Sequence, residues 1–529
     1  MLSQINSAAL DGLKAVPVTV EVNATLADEH GLSEPYFIMV GLPDKAVTES
    51  RQRVKSAIFN SEQKLPRINV TANFAPADIR KEGSGFDLPL AVALLTAVKI
   101  IHADDLTRYM FVGELGLDGS VRAIRGALPI AIEARRLGYE ALFVPKDNER
   151  EAGVVNNLKV YGVETLTEVV DFLNGQNTLE PVSINTREEF YRHQAEHTLD
   201  FADVKGQERA KRAFEVAAAG GHNIILIGSP GCGKSMMAKR VPSILPSLTL
   251  AEALETTQIY SIAGKVERNV SLISQRPFRS PHHTISDIAL IGGGANLQPG
   301  EISLAHNGVL FLDELPEYSR AALETMRQPL EDRVISISRA KYSATLPCSF
   351  MLVAAMNPCP CGYYNDPTHE CHCTPGQVQK YINKISGPLL DRIDIHCEIQ
   401  PVPFAQLSQM RPGEPSAVIR ERVIKARKIQ EERFAHLPLG GGREGAVHCN
   451  AQMSEKMLHQ FAEPDAASMD LLRMAMERLK LSARAYSRIL KVARTIADLA
   501  GSEKVETMHI AEAIGYRNLD RGDWAERGI

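Results

Sequence analysis

The stretch NIILIGSPGCGKSMMAKR, residues 223–240, constrains the fold more than any other in the chain. A run of Ile and Leu leads into Gly228, Ser229, Pro230, Gly231, Cys232, Gly233, Lys234 and Ser235, and a helical pattern follows. This is G-x-x-x-x-G-K-S between a strand and a helix, the context that a phosphate-binding loop requires. Its glycines let backbone N–H groups curl around phosphates, and the helix N-terminus adds a favourable dipole. Lys234 is then expected to reach the β and γ phosphates of ATP, with the Ser235 hydroxyl ligating Mg²⁺.

Such a loop needs a metal-holding carboxylate on a neighbouring strand. GVLFLDELPEY (308–318) supplies four apolar residues and then Asp313 and Glu314. Asp313 suits the Mg²⁺ shell, and Glu314 suits polarisation of the attacking water. SFMLVAAMN (349–357) is another buried-strand run, ending on Asn357. The carboxyl ends of parallel strands line the ligand crevice. An amide there orients the lytic water or senses the γ-phosphate; a plain strand-ending turn is the alternative. SGPLLDRIDIH (386–396) sets Arg392 after a short apolar helix. It either neutralises transition-state charge, from a neighbouring subunit if required, or is held structurally by Asp391 and Asp394. In LSARAYSRILKVARTIADL (481–499), Arg484, Arg488 and Lys491 share one helix face. Periodicity does not decide between solvent and phosphate for that face.

At 529 residues the chain is too long for one core, and two to four domains are expected. Residues 1–175 read as mixed α/β. VTVEV (18–22) alternates like a strand, FVGELGLDGSVRAI (111–124) reads as two strands around an Asp-Gly turn, and GALPIAIEARRLG (126–138) reads as a helix ending at Gly. Residues 176–200 are polar and read as a linker. A second α/β region spans 201–401, a helical region 402–515, and a tail 516–529. The net charge of −5, from 59 basic and 64 acidic residues, excludes a global attraction to nucleic acid or anionic membrane. DNA binding would therefore need a local basic surface. No basic-then-apolar leader opens the chain, and the run LPLAVALLTAV (88–98) is about half of a membrane span. A soluble cytoplasmic protein with no membrane partner is expected.

The eight cysteines do not suggest a disulfide scaffold. Four of them fall in fifteen residues as Cys359-x-Cys361 and Cys371-x-Cys373. That number matches a tetrahedral Zn²⁺ site. The intervening GYYNDPTHE offers little to bury, so zinc would contribute its folding free energy. His369 or His372 is an alternative to one thiol; free thiols or redox-sensitive disulfides are alternatives to metal. The clip is expected to brace the connection between Asn357 and Arg392 and to do no chemistry. Cys232 reads as incidental, and Cys348, Cys397 and Cys449 as packing residues.

Taken together, GSPGCGKS, RPFRSPHHT, FLDELPE, ISRA, AAMNPCPCG, GPLLDRIDIH and SARAYSRILKVARTIADL resemble the magnesium-chelatase-like AAA+ ATPases. YFIMVGLPDKAVTESRQRV, NFAPADIRKEGSGFDLPLA and FVGELGLDGSVRAIRGALP narrow the resemblance to the ComM/YifB family, over about residues 3–515. The resemblance implies a multidomain α/β chain. It would comprise an N-terminal ribosomal S5 domain 2-like (Lon-protease-like) domain, an AAA+ P-loop core and a C-terminal helical lid. It also implies a homo-hexameric ring with ATP at subunit interfaces. Asn357 is similar to the sensor-1 residue, Arg392 to the arginine finger and Arg484 to the sensor-2 arginine, which turns the ambiguous helix face toward nucleotide. Two hairpin inserts, 276–303 and 332–347, would point into the central pore. Arg276, Arg279, His282, His283, Arg339 and Lys341 become candidate contacts to a DNA strand. The implied activity is branch migration on single-stranded and branched DNA, in recombination and natural transformation with other recombination proteins. A chelatase-type protein remodeller without DNA activity is the alternative. Lon-type catalysis would need Ser and Lys where Gly85 and Leu128 stand, so Ser84 lacks a base and proteolysis is not expected.

Overall fold

The computed structural model describes residues 1–27, 35–79, 81–103, 105–194, 198–294, 298–339, 342–402, 412–435, 447–479, 481–517 and 519; the side chains of 193, 338, 339, 342 and 343 are not described. Two seven- and five-stranded sheets organise it. The first begins with β1 (Leu2–Asp11) and β2 (Lys14–Leu26), an antiparallel hairpin turned at Gly12, whose φ is +60°. Alternation decides its inner face: Val18, Val20, Val22 and Ala24 of β2 are buried, and their neighbours are not. β3 (Phe37–Val40) and β4 (Ile68–Ala75) extend one side, with Val20 facing Phe74. β5 (Tyr109–Phe111) lies parallel to β1 on the other.

The hairpin expected over 111–124 divides. Phe111 stays in the large sheet, while β6 (Glu114–Leu115) and β7 (Val121–Arg122) make a separate two-residue ladder around Gly119 at φ +85°. β8 (Ala141–Pro145) and β9 (Lys159–Val163) complete the order β3-β4-β2-β1-β5-β8-β9. The helix Asp87–Ala97 is apolar on nearly every side and buried accordingly. The helix Ala127–Arg136 packs against the helix Leu250–Ala263, and the Gly126 N–H donates to Ser261 across that contact at 3.0 Å.

The second sheet starts at β10 (Ile224–Gly228), followed by β11 (Phe278–Arg279). A small ladder, β12 (Gly292–Gly293) with β13 (Gln298–Pro299), precedes β14 (Val309–Leu312). The antiparallel hairpin β15 (Val334–Arg339) and β16 (Tyr342–Pro347) precedes β17 (Met351–Met356) and β18 (Ile395–Ile399). The order is β11-β14-β17-β10-β18, and every pair is parallel. Both faces are covered, so the strands are continuous apolar runs. Ile224 and Leu226 enter a core with Phe201, Phe214 and Ile489, while Ile225 and Ile227 enter the opposite one with Leu310 and Leu352.

The helices Ser416–Phe434 and Ala483–Leu499 pack on the helix Glu208–Gly220 beside this sheet. Within the polar stretch read as a linker, the helix Thr186–Gln194 anchors itself through Phe190 against Leu248 and Ala253. The stretch read as a tail begins in the core: Tyr516, Arg517 and Leu519 are buried, and Arg517 donates to the Ile393 carbonyl at 2.5 Å. Among the described residues no helix is long and apolar enough to cross a membrane.

Candidate active site

The phosphate loop turns at two glycines in left-handed conformation, Gly231 (φ +79°) and Gly233 (φ +94°), before the helix Lys234–Ala238. Lys234 is 8% exposed, and burial pulls its pKa down from the ordinary lysine value. Its Nζ donates to the carbonyls of Gly228 (2.6 Å) and Ser229 (2.9 Å) and to Asn357 Oδ1 (3.2 Å). Because β17 lies between β14 and β10, Asn357 stands beside both the loop and the acidic pair. The Ser235 hydroxyl donates to Asp313 Oδ2 at 2.6 Å. Hydroxyl and carboxylate are hard oxygen donors and converge on one point, the chemistry Mg²⁺ takes. The Glu314 N–H donates to the other Asp313 oxygen at 3.0 Å, with Glu314 itself at φ +51°. Lys234, Ser235, Asp313, Glu314 and Asn357 are thus brought together at the carboxyl end of the sheet.

Arg392 is at the other end. Gly228 pairs with Ile399 and Ile224 with Ile395, so a residue before Ile395 lies at the amino end of β18. At about 3.3 Å per residue the separation from the phosphate loop is on the order of 15 Å. Its side chain is 10% exposed, donates to Pro388 O at 2.5 Å and pairs with Glu331, leaving its buried Nε without a hydrogen bond. Arg484, 67% exposed, donates to Asp391 at 2.9 Å and so stands beside Arg392. Arg488 pairs with Asp394 at 3.1 Å. Burial brings Lys491 down to about 8, and its ammonium donates to the Ala451 carbonyl at 3.1 Å. The Arg484 face therefore does not meet its own phosphate loop; Arg484, though largely exposed, and Arg488 reach the segment carrying Arg392. Glu331 and this docking gave no local signal in the sequence.

The four thiols of Cys359, Cys361, Cys371 and Cys373 lie within 4.8 Å of one another, with separations of 3.3, 3.7 and 3.6 Å where they touch. These are far beyond a disulfide bond and near the edge of a zinc–thiolate tetrahedron, about 3.8 Å for a metal–sulfur distance of about 2.3 Å. Desolvation opposes ionisation of Cys361, but backbone N–H donors from Tyr363 and His372 and the neighbouring thiols bring it down to about 6. Among the described residues, the metal-ligand cluster contains neither His369, which stacks on Tyr363 and bonds Thr368, nor His372. The clip also leans on the phosphate loop. A Cβ on Gly362 would lie 2.8 Å from Pro230, and Asp366 hydrogen-bonds Ser229. The Thr368 hydroxyl first, and then Ser229, hold Asp366 below the usual carboxylate range.

The candidate DNA contacts divide. Arg276 is 15% exposed and donates to Pro246 O (2.5 Å) and Asn307 O (2.7 Å), with Glu252 at 3.3 Å. Arg279 forms a bidentate pair with Glu301 at 2.6 and 2.7 Å. In this structure both guanidiniums close internal contacts. His282 is exposed and bonds Thr284, whereas His283 faces Glu314 at 3.1 Å. The Arg339 side chain and all of Lys341 lie outside the described residues. In the first sheet Ser84 donates to Glu114, Lys81 is buried on the carbonyls of Pro76 and Ile79, and Leu128 is core. Ser84 thus has a carboxylate acceptor that the sequence did not reveal.

Family models for the magnesium chelatase subunit ChlI match residues 21–148 and 200–407, and one for the C-terminal part of that subunit matches 413–517. Competence protein ComM of Haemophilus influenzae is 43% identical over 521 residues, covering 98% of each chain. YifB of Escherichia coli is 44% identical over 522 residues, again 98% of each. Lon protease 2 of Bacillus subtilis is 30% identical over 157 residues, 27% of each chain. The chain belongs to the ComM/YifB family of magnesium-chelatase-like AAA+ proteins.

Proposed function

We propose that the protein is a homo-hexameric ring ATPase that couples ATP hydrolysis to DNA strand translocation and branch migration, in recombination and uptake of transforming DNA. The observation that carries the ring is the separation of Lys234, Asp313 and Glu314 from Arg392 and Arg484 at opposite ends of β10 and β18. Each chain holds one half of a phosphoryl-transfer site on each of two faces, which a neighbour completes. Lys234 binds the β and γ phosphates, and Ser235 and Asp313 hold Mg²⁺, which neutralises phosphate charge when bound. Asn357 orients the water, and Glu314 accepts its proton. The water oxygen bonds the γ-phosphorus as the bond to the β–γ bridging oxygen breaks and ADP leaves. Arg392 and Arg484 stabilise the charge of the neighbour's transition state. The cysteine clip holds a structural Zn²⁺.

Domains over 1–175, 201–401 and 402–515, with an S5 domain 2-like first unit and a helical lid, fit this reading, as does a cytoplasmic location. Strand contacts come from His282 and the hairpin carrying Arg339 and Lys341. The inward-turned Arg276 and Arg279 favour a second reading, an ATP-driven protein remodeller without DNA activity. ATP-dependent strand displacement on a three-way branched DNA separates the two. Displacement by wild type and none by Lys234→Ala is expected; hydrolysis without displacement, unchanged by DNA, overturns the motor.

A further inference from the structure

A cavity of about 890 Å³ lies where the first sheet's unit, the polar connection and the second sheet's unit meet. Its apolar wall is drawn from all three. Ile132 comes from the helix Ala127–Arg136, and Val155 from the turn after the short helix Glu149–Ala152. Ile184 precedes the helix Thr186–Gln194, and Leu250 and Leu254 belong to the helix Leu250–Ala263. Leu250 and Leu254 share one helix face at i, i+4. Leu254 packs on the cluster of Leu128, Ile130 and Leu142, whereas Leu250 keeps 42% of its surface exposed. The walls are tied together around the opening. Ser271 donates to Glu189 at 2.7 Å, and Arg268 pairs with Asp147 at 3.0 Å. The volume falls within the span of about 300–1,000 Å³ that small-molecule sites occupy.

The charge of the lining has one sign. Arg135, Arg136 and Arg187 line the cavity, and no Asp or Glu does. The acids nearest in sequence are already engaged. Arg136 takes Glu133 through bonds of 2.7 and 2.6 Å, Arg192 takes Glu188 at 2.6 Å, and Arg150 takes Glu189 at 2.8 Å. Arg135 and Arg187 are exposed and form no ion pair among the described residues. We propose that this cavity is a binding site for a small anionic amphiphile, an apolar body carrying one carboxylate, sulfonate or phosphate group. The body lies against Ile132, Leu250 and Leu254, and the head group accepts from the Arg135 and Arg187 guanidiniums, whose fork suits such oxygens. A ligand seated there touches all three parts of the chain at once and fastens them. The helix Leu250–Ala263 carries the contact further, because it also packs on β13 and its Tyr260 hydroxyl donates to Leu304 O at 2.9 Å. The site uses neither the phosphate loop nor Arg392, so it stands or falls apart from the ring reading.

The test is a fluorescence titration of the full-length protein with two probes that share an aromatic body. Anilinonaphthalene sulfonate carries the anionic head, and phenylnaphthylamine lacks it. A non-hydrolysable ATP analogue is kept saturating, so that neither probe reads the nucleotide site. Wild type is expected to bind the sulfonate saturably and more tightly than the neutral probe. Arg135→Ala combined with Arg187→Ala changes only exposed side chains, and should weaken the sulfonate about tenfold, the scale of a hydrogen bond to a charged group. The same double variant should leave the neutral probe unchanged. Leu250→Glu, at a half-exposed wall position, is expected to weaken both probes, because it sets a carboxylate among the apolar groups. A sulfonate affinity that either variant leaves unchanged, or that is no stronger than the affinity for the neutral probe, overturns the site, as does the absence of saturable binding.

Discussion

At the foot of β10, His222 is fully buried, with Nδ1 2.9 Å from Asp394 and Nε2 2.8 Å from the Thr495 hydroxyl. Burial holds it, His396 and His509 below the ordinary histidine range. All three are therefore neutral in the folded chain near neutral pH, while in the unfolded chain they take up a proton at about 6.5. Below that pH the unfolded state binds more protons, so stability falls on acidification, by up to about 1.4 kcal/mol per pH unit for each histidine. Thermal unfolding followed from pH 8 to 5.5 should show the midpoint dropping below about pH 6.5, with a shallower drop in His222→Gln. A midpoint flat across that range contradicts the assignment. Contiguous motifs were legible beforehand: Lys234 and Ser235 lie in one, Asp313 and Glu314 in another, and the fold brings the two together. Arg276 and Arg279 were named because the family resemblance puts them in the first hairpin insert; the acceptors that hold them, Glu252 and Glu301, lie 24 and 22 residues away, beyond any local pattern.

Among the elements, the cysteine clip carries the sharpest consequence. Its four thiols were visible in the spacing, but its contact with the phosphate loop was not, because Gly362 meets Pro230 only once β17 and β10 are neighbours. Gly362, at φ +89°, tolerates that approach where a side chain would collide. Cys371→Ser with Cys373→Ser should lower bound zinc from about one per chain to none, and weaken ATP binding about tenfold as the support behind Ser229 and Pro230 loosens. Unchanged zinc in purified protein rejects the metal site; lost zinc with unchanged ATP affinity rejects the coupling. The expected 111–124 hairpin shows the converse limit. Its Asp-Gly turn was readable locally, but β5, which holds Phe111, answers to β1 and β8, a long-range pairing that no local pattern encodes.

For the whole molecule, the decisive feature is that the helix Ala483–Leu499 is fastened to the segment 391–394 at the sheet's amino end. Arg484 reaches Asp391 and Arg488 reaches Asp394, while the phosphate loop opens at the opposite end. Strand order, and with it the distance between Lys234 and Arg392, emerged only from the fold. The most direct measurement of this arrangement is the ATPase rate of mixed rings. Lys234→Ala chains retain Arg392, and Arg392→Ala chains retain the phosphate loop, so each alone should be inactive. Mixed in equal amounts and reassembled, they should regain activity, because random assortment rebuilds about one intact interface in four. A mixture no more active than its two components would contradict a site shared between subunits.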